Sequence, residues 1–138
     1  MIYAVIDTNV IVSALLSNTP TSPTVKILDA IIDRYICPLY SSEIIDEYID
    51  VLKRPKFKLP IEKVSAIVNL VKVIGLESER INSSEDFIDL DDAVFYEVAL
   101  SKEDAFLVTG NLKHFPRRSI VVTPSEMIQI LEQMGYIL

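Results

Sequence analysis

The chain has one cysteine, Cys37, and one histidine, His114, among 138 residues. A lone cysteine has no partner in the chain for a disulfide, which fits a reducing compartment, and its expected place is a small apolar position in a buried strand. Positive charge is also scarce. Thirteen Lys and Arg stand against 20 Asp and Glu, a formal net charge of −7, which argues against holding nucleic acid by bulk positive charge. It does not exclude a nuclease, because a site full of metal-binding carboxylates is itself acidic. No run approaches the roughly 18 apolar residues of a membrane span. The opening MIYAVIDTNVIVSALL has no basic residue and is broken by Asp7 and Asn9, so it does not read as a signal peptide. The expectation is a soluble, cytoplasmic protein without a membrane partner. There is no internal repeat and no low-complexity tract, and the length suits one domain over residues 1–138.

Two kinds of pattern alternate along the chain. Short β-branched runs at Ile2–Ile6, around Tyr35–Leu39, at Ala105–Val108 and at Ile120–Val122 read as buried strands, with a weaker one near Leu76–Ile81. Between them lie helical spacings: Val25, Ile27, Leu28, Ile31 and Ile32; Ile44, Ile45, Tyr48, Val51 and Leu52; Val64, Ile67, Val68 and Val71; Ala93, Tyr96, Ala99 and Leu100. Ser22-Pro23, Leu59-Pro60 and Thr123-Pro124 put proline where a helix starts. Thr123 with Glu126 forms a capping box ahead of Met127, Ile128 and Leu131. Strands alternating with helices predict an α/β fold, a three-layer α/β/α sandwich around a mostly parallel sheet of about four or five strands.

In such a sheet, chemistry collects beyond the carboxyl ends of the strands. Asp7 falls there, directly after the first strand. Taken alone it reads better as the cap of the next helix. On the helix SSEIIDEYIDVL, Asp46 and Asp50 point away from the apolar stripe. Glu47 lies nearest its edge, with Glu43 further round the same flank as a reserve candidate. The stretch Asp86-Phe87-Ile88-Asp89-Leu90-Asp91-Asp92-Ala93 carries four aspartates in seven residues. Asp89 is the natural helix cap, and the helix dipole favours one or two such acids in a first turn. Four so close repel one another unless a cation joins them. A later strand ends on Thr109-Gly110-Asn111, which as chemistry alone is a plain polar turn. Three acidic groups and an amide at strand ends and helix starts, with no histidine or cysteine among them, suit Mg²⁺ or Mn²⁺ and disfavour zinc.

Four motifs stand in order: V-I-D-T-N at residues 5–9, S-S-E-I-I-D-E-Y-x-x-V-L-x-R-P-K-F at 41–57, D-L-D-D-A at 89–93 and L-V-T-G-N-L-K-H-F at 107–115. On these the chain resembles the PIN-domain ribonucleases, and among them the small, stand-alone, toxin-like PIN proteins of prokaryotes. The resemblance runs over nearly the full length. It implies a metal-dependent endoribonuclease that hydrolyses phosphodiesters of single-stranded RNA with one or two divalent ions, Mg²⁺ or Mn²⁺. Residue by residue, it implies that Asp7, Glu47 and Asp92 are the acidic metal ligands, that Asp89 is a further acidic position of the same motif, and that Thr109 supports the site. Thr8 and Asn9 match residues that shape the loop after the first aspartate. Where many PIN domains carry a second aspartate after T-G, this chain has Asn111, which leaves the number of metals open.

A substrate of RNA needs positive charge near the site. Lys53, Arg54, Lys56 and Lys58 follow the Glu47 helix, and Lys113, Arg117 and Arg118 follow the Asn111 turn. Thr8, Asn9, Arg54, Lys113 and Arg117 are the candidate RNA contacts, and for any one cation a solvated loop charge is an equally good account. His114 reads as a surface-loop residue. The toxin-like resemblance adds an antitoxin as a candidate partner. A homodimer is another, with the apolar helix Val64–Ile74 as a candidate interface, although packing within the domain accounts for that helix better. The rival function is a catalytically weak or inactive PIN-fold domain that binds RNA or regulates, and Asn111 is its argument. A receiver domain phosphorylated on Asp7 would need a lysine at a later strand end, where Lys113 fits poorly.

Overall fold

The computed structural model describes residues 1–87 and 89–138. Strand β1 (Ile2–Ile6) and helix α1 (Thr8–Leu16) are followed by α2 (Pro23–Ile32), β2 (Ile36–Tyr40), α3 (Ser42–Leu52), α4 (Ile61–Ile74) and β3 (Leu76–Glu77). Then come α5 (Leu90–Ala99), β4 (Phe106–Val108), β5 (Val121–Val122) and α6 (Pro124–Gln133). The strands form one five-stranded parallel sheet in the order β3-β2-β1-β4-β5, with helices on both faces. This is the α/β/α sandwich that the alternating patterns predict.

The central strand explains why the sheet is parallel and covered. Four of the five residues of β1 are buried, so it faces apolar layers on both sides and carries no polar alternation. It pairs with β2 through Ile2–Ile36 and with β4 through Ile6–Val108. The chain leaves β1 toward β2 on one side and returns as β4 on the other, which makes the β1/β4 boundary the switch point of the topology. A crevice opens there, beyond the carboxyl ends of both strands. Both Asp7 and Thr109 lie at that point.

The helix starts follow the local chemistry. The Ser22 hydroxyl accepts from the Val25 amide ahead of α2, and Thr123 and Glu126 form the expected reciprocal box ahead of α6. Helix α4 turns Val64, Ile67, Val68 and Val71 into the core, the bland placement of that stripe. Cys37 is buried in β2.

The weaker strand near Leu76–Ile81 is shorter than its sequence suggests. Only Leu76 and Glu77 pair with β2, and the Ser78 amide bonds to Tyr40 O at 2.7 Å before the chain leaves the sheet. Gly75 permits the approach: a Cβ there would meet Val71 O at 2.3 Å and Pro38 O at 2.5 Å. Beyond it, the Ile81 amide donates to Glu97 O on α5, so the segment crosses onto a helix instead of extending the ladder. Tyr35, expected in the second strand, lies just before β2 and stacks on Tyr136 with ring centroids 4.6 Å apart.

Candidate active site

Asp7 sits at the N-cap position of α1, but its carboxylate makes no cap bond. Instead, its Oδ2 accepts the Thr109 hydroxyl at 2.7 Å, across a sequence separation of 102 residues. The same Thr109 oxygen accepts the Asn111 amide at 2.9 Å, so one hydroxyl links the ends of β1 and β4. The sheet ladder continues into this junction, with the Asp7 amide on Val108 O and the Thr109 amide on Val122 O, each 2.9 Å. Asp7 and Thr109 are buried, at 6% and 0% exposure. A carboxylate brought this deep and left out of helix capping is placed for something other than starting α1.

Asp92 approaches from the first turn of α5. Asp89 caps that helix, accepting the Asp91 amide at 2.9 Å as the sequence suggested, which leaves the half-buried Asp92 uninvolved in capping. Burial raises the Asp7 carboxyl above the usual carboxylate range, against the opposing pull of the Thr109 hydroxyl, the Thr8 amide and His114. Asp92 is raised too, by burial and then by the negative charges of Asp7, Asp89 and Asp91, with His114 opposing. His114 Nδ1 lies 3.7 Å from Asp92 Oδ2 while most of the ring stays exposed. It is a surface-loop residue, and it borders the site.

Glu47 is half-buried at the edge of the α3 stripe, whereas Glu43, Asp46 and Asp50 are exposed. Its carboxyl is also raised, by burial first and then by Asp91 and Asp50, against Arg54, with a smaller push from Asp89. The negative charges that act on Glu47 are those of Asp91, Asp50 and Asp89, whereas that of Asp7 acts on Asp92. Among the described residues no three His, Cys, Asp or Glu side chains are grouped closely enough to hold an ion together in this conformation. Burial is the first cause of the rise at Asp7, Glu47 and Asp92 alike, and it disfavours the charged form of each. Thr8 adds a buried hydroxyl without a hydrogen-bond partner, one residue from Asp7.

The remaining candidates divide. Asn111 is partly exposed at the mouth, next to a 3₁₀ turn at Leu112–His114. Asn9 is exposed on α1, and Lys113 and Arg117 are exposed along the loop beyond Asn111. Arg54, just beyond α3, is drawn to Asp50 on that helix at 3.4 Å. Ile88, in the aspartate-rich stretch, lies outside the described residues.

Three residues that shape the site are not apparent from sequence. Tyr48, read as a stripe residue, donates its buried hydroxyl to Ile6 O at 2.5 Å and ties the helix of Glu47 to the residue before Asp7. Arg80 bonds Glu43 on α3 at 2.9 Å and Glu97 on α5 at 2.8 and 2.5 Å. Glu97 is buried and also accepts the Ser83 amide at 2.6 Å. Burial would raise its carboxyl, but the Arg80 guanidinium and the Ser83 amide outweigh this and hold it low. The available signal was a single acid within the apolar run VFYEVA.

A parallel sheet with a buried carboxylate at its switch point makes this an α/β protein with a candidate site there, and comparison with known families gives the family. A family model described as PIN domain matches residues 3–113, and the chain belongs to that family. No curated protein matches the chain in sequence. No helix among the described residues is long and apolar enough to cross a membrane.

Proposed function

We propose that residues 1–138 form one PIN-like unit acting as a Mg²⁺- or Mn²⁺-dependent endoribonuclease on single-stranded RNA. One observation carries the reading. Asp7 is buried at the topological switch point, anchored by Thr109 instead of capping α1, and its charge acts on Asp92 of the α5 turn, with both carboxyls raised. The donor chemistry fits a hard divalent cation: carboxylate oxygens, with neither thiol nor imidazole required. Asp7 and Asp92 would hold the ion, and Glu47 would complete the set from the α3 side. When bound, such a cation lowers the pKa of a coordinated water and offsets charge on the phosphate.

The chain's own residues do the rest. Thr109 fixes the orientation of Asp7 by donating to one oxygen, leaving the other for a ligand. Asp89 caps α5 and so sets the first turn that presents Asp92. Asn111 offers a neutral amide at the mouth, able to orient water or phosphate without adding charge to the crowded acids. Lys113 and Arg117 supply cations on the same side, while Thr8, Asn9 and Arg54 are the other proposed contacts. The toxin assignment rests on the resemblance of the motifs, and a small open reading frame beside this gene encoding a partner would support it.

The test is cleavage of a labelled single-stranded RNA by purified protein with Mn²⁺ or Mg²⁺. Activity in the native chain and none in Asp7→Asn supports the proposal. Equal, metal-independent activity in both points to a contaminant and defeats it. The rival reading, an RNA-binding or regulatory domain of weak or no activity, is favoured by Asn111 and by the outward placement of Glu47. Its signature is RNA binding without divalent-ion binding.

A further inference from the structure

The surface around the acidic pair is electrically two-sided. On the α3 side a recess of about 390 Å³ is lined by Glu43, Glu47, Asp91 and a single cation, Arg80. Arg80 is committed to Glu43 and Glu97. On the other side, along the loop that follows Asn111, runs a groove of about 410 Å³ lined by Leu112, Lys113, Pro116, Arg117, Arg118 and Val121, with no acidic residue in its lining. Arg118 pairs with Glu85, while among the described residues Lys113 and Arg117 have no ion-pair partner. The groove begins where the Asn111 turn ends: Leu112 and Lys113 belong to the same 3₁₀ turn as His114, which reaches Asp92.

A polyanion avoids the first wall and is drawn to the second. The second also has the two kinds of surface that a single strand uses, cations for its phosphates and an apolar floor for a base. We propose that this groove seats the nucleotide next to the scissile phosphate, with Lys113 and Arg117 on the backbone and Leu112, Pro116 and Val121 under the base. The strand then leaves the site along the segment from Leu112 to Val121, away from Glu47. This deepens the ribonuclease reading and rests on it, but binding can be measured independently of cleavage.

The experiment is fluorescence anisotropy of the full chain with a labelled single-stranded RNA of about a dozen nucleotides, in EDTA, over a range of salt concentrations. Each phosphate contact on a single strand contributes roughly 0.7 to the slope of log affinity against log salt. The Lys113→Ala/Arg117→Ala pair should therefore weaken binding and lower that slope by about 1.4. The control pair Lys63→Ala/Lys72→Ala, exposed on α4 and with the same charge change, should leave both nearly unchanged. Equal losses in the two pairs, or no loss in the first, would overturn the groove. A polyphosphate of matched charge binding as tightly as RNA would overturn the base seat. A chain that cleaves RNA with Mn²⁺ while the first pair binds normally loses the groove and keeps the ribonuclease; one that binds through the groove but never cleaves does the reverse.

Discussion

Replacing Asp7 by asparagine should stabilise the metal-free protein while abolishing its activity. The Asp7 carboxyl lies above its unfolded value because burial disfavours the charge more than the Thr109 hydroxyl repays. A raised acid binds its proton more tightly folded than unfolded. Its contribution to stability is fully present below the unfolded pKa and is lost as pH rises through the folded one, so at neutral pH the folded state carries a cost. The asparagine side chain of the variant is neutral and of the same shape, and its carbonyl can still accept from Thr109. It removes that cost and the repulsion with Asp92 at once. Relief of about 1–2 kcal/mol is the usual scale for such changes. With an unfolding entropy of ~2.1 cal/mol/K per residue, 138 residues convert that to a Tm rise of roughly 3–7 °C. The assay is thermal unfolding in EDTA at neutral pH and again at mildly acidic pH. The gain should shrink as pH falls toward the ordinary carboxylate range, where the native Asp7 takes up its proton. Adding Mn²⁺ should raise the Tm of the native chain and not of the variant, because an ion that binds only the folded state stabilises it by mass action. A variant that melts below the native chain at neutral pH, or one that gains equally from Mn²⁺, would refute the reasoning and return Asp7 to a structural role.

Three further outcomes follow from the contacts around the site. Tyr48→Phe removes a buried hydroxyl from Ile6 O and should cost about 1–3 kcal/mol in denaturant unfolding, with a larger effect on kcat than on KM if it mainly keeps Glu47 in register with Asp7. Glu97→Ala deprives Arg80 and the Ser83 amide of their acceptor and should cost about 2–4 kcal/mol; because this carboxyl is held low, the difference from the native chain should narrow as pH falls through its folded pKa. Asn111→Asp adds a fourth acid at the mouth and should tighten Mn²⁺ binding in calorimetry, while an unchanged affinity would show that position 111 faces away from the ion.

Much of this was legible in the chain because it depends on local periodicity. The run from Ile2 to Ile6 is apolar on both faces because its strand is central, and the helix after Thr123 starts by a reciprocal bond with Glu126, three residues on. Glu47 could be told from Asp46 and Asp50 because a helix has a fixed angle per residue, and its half-burial beside exposed neighbours agrees. The extent of the strand after Leu76 is not legible in the chain, because the segment's path is set by Glu97 on a later helix and not by its own β propensity.

The sequence by itself determined the elements, the parallel sheet and the motif set that places the chain in the PIN-domain family, since these depend on residue type and near neighbours. It could not decide between a cap and a buried site residue at Asp7, because both readings use the same carboxylate at the same helix start. The tertiary structure answers the capping half of that choice, by bringing Thr109 to within 2.7 Å of the carboxylate across the switch point while the side chain makes no cap bond on α1. The electrical asymmetry around it was decided there as well: whether a charge is spent on a neighbour, as at Arg80, or is open to solvent, as at Arg117, depends on what the fold sets beside it.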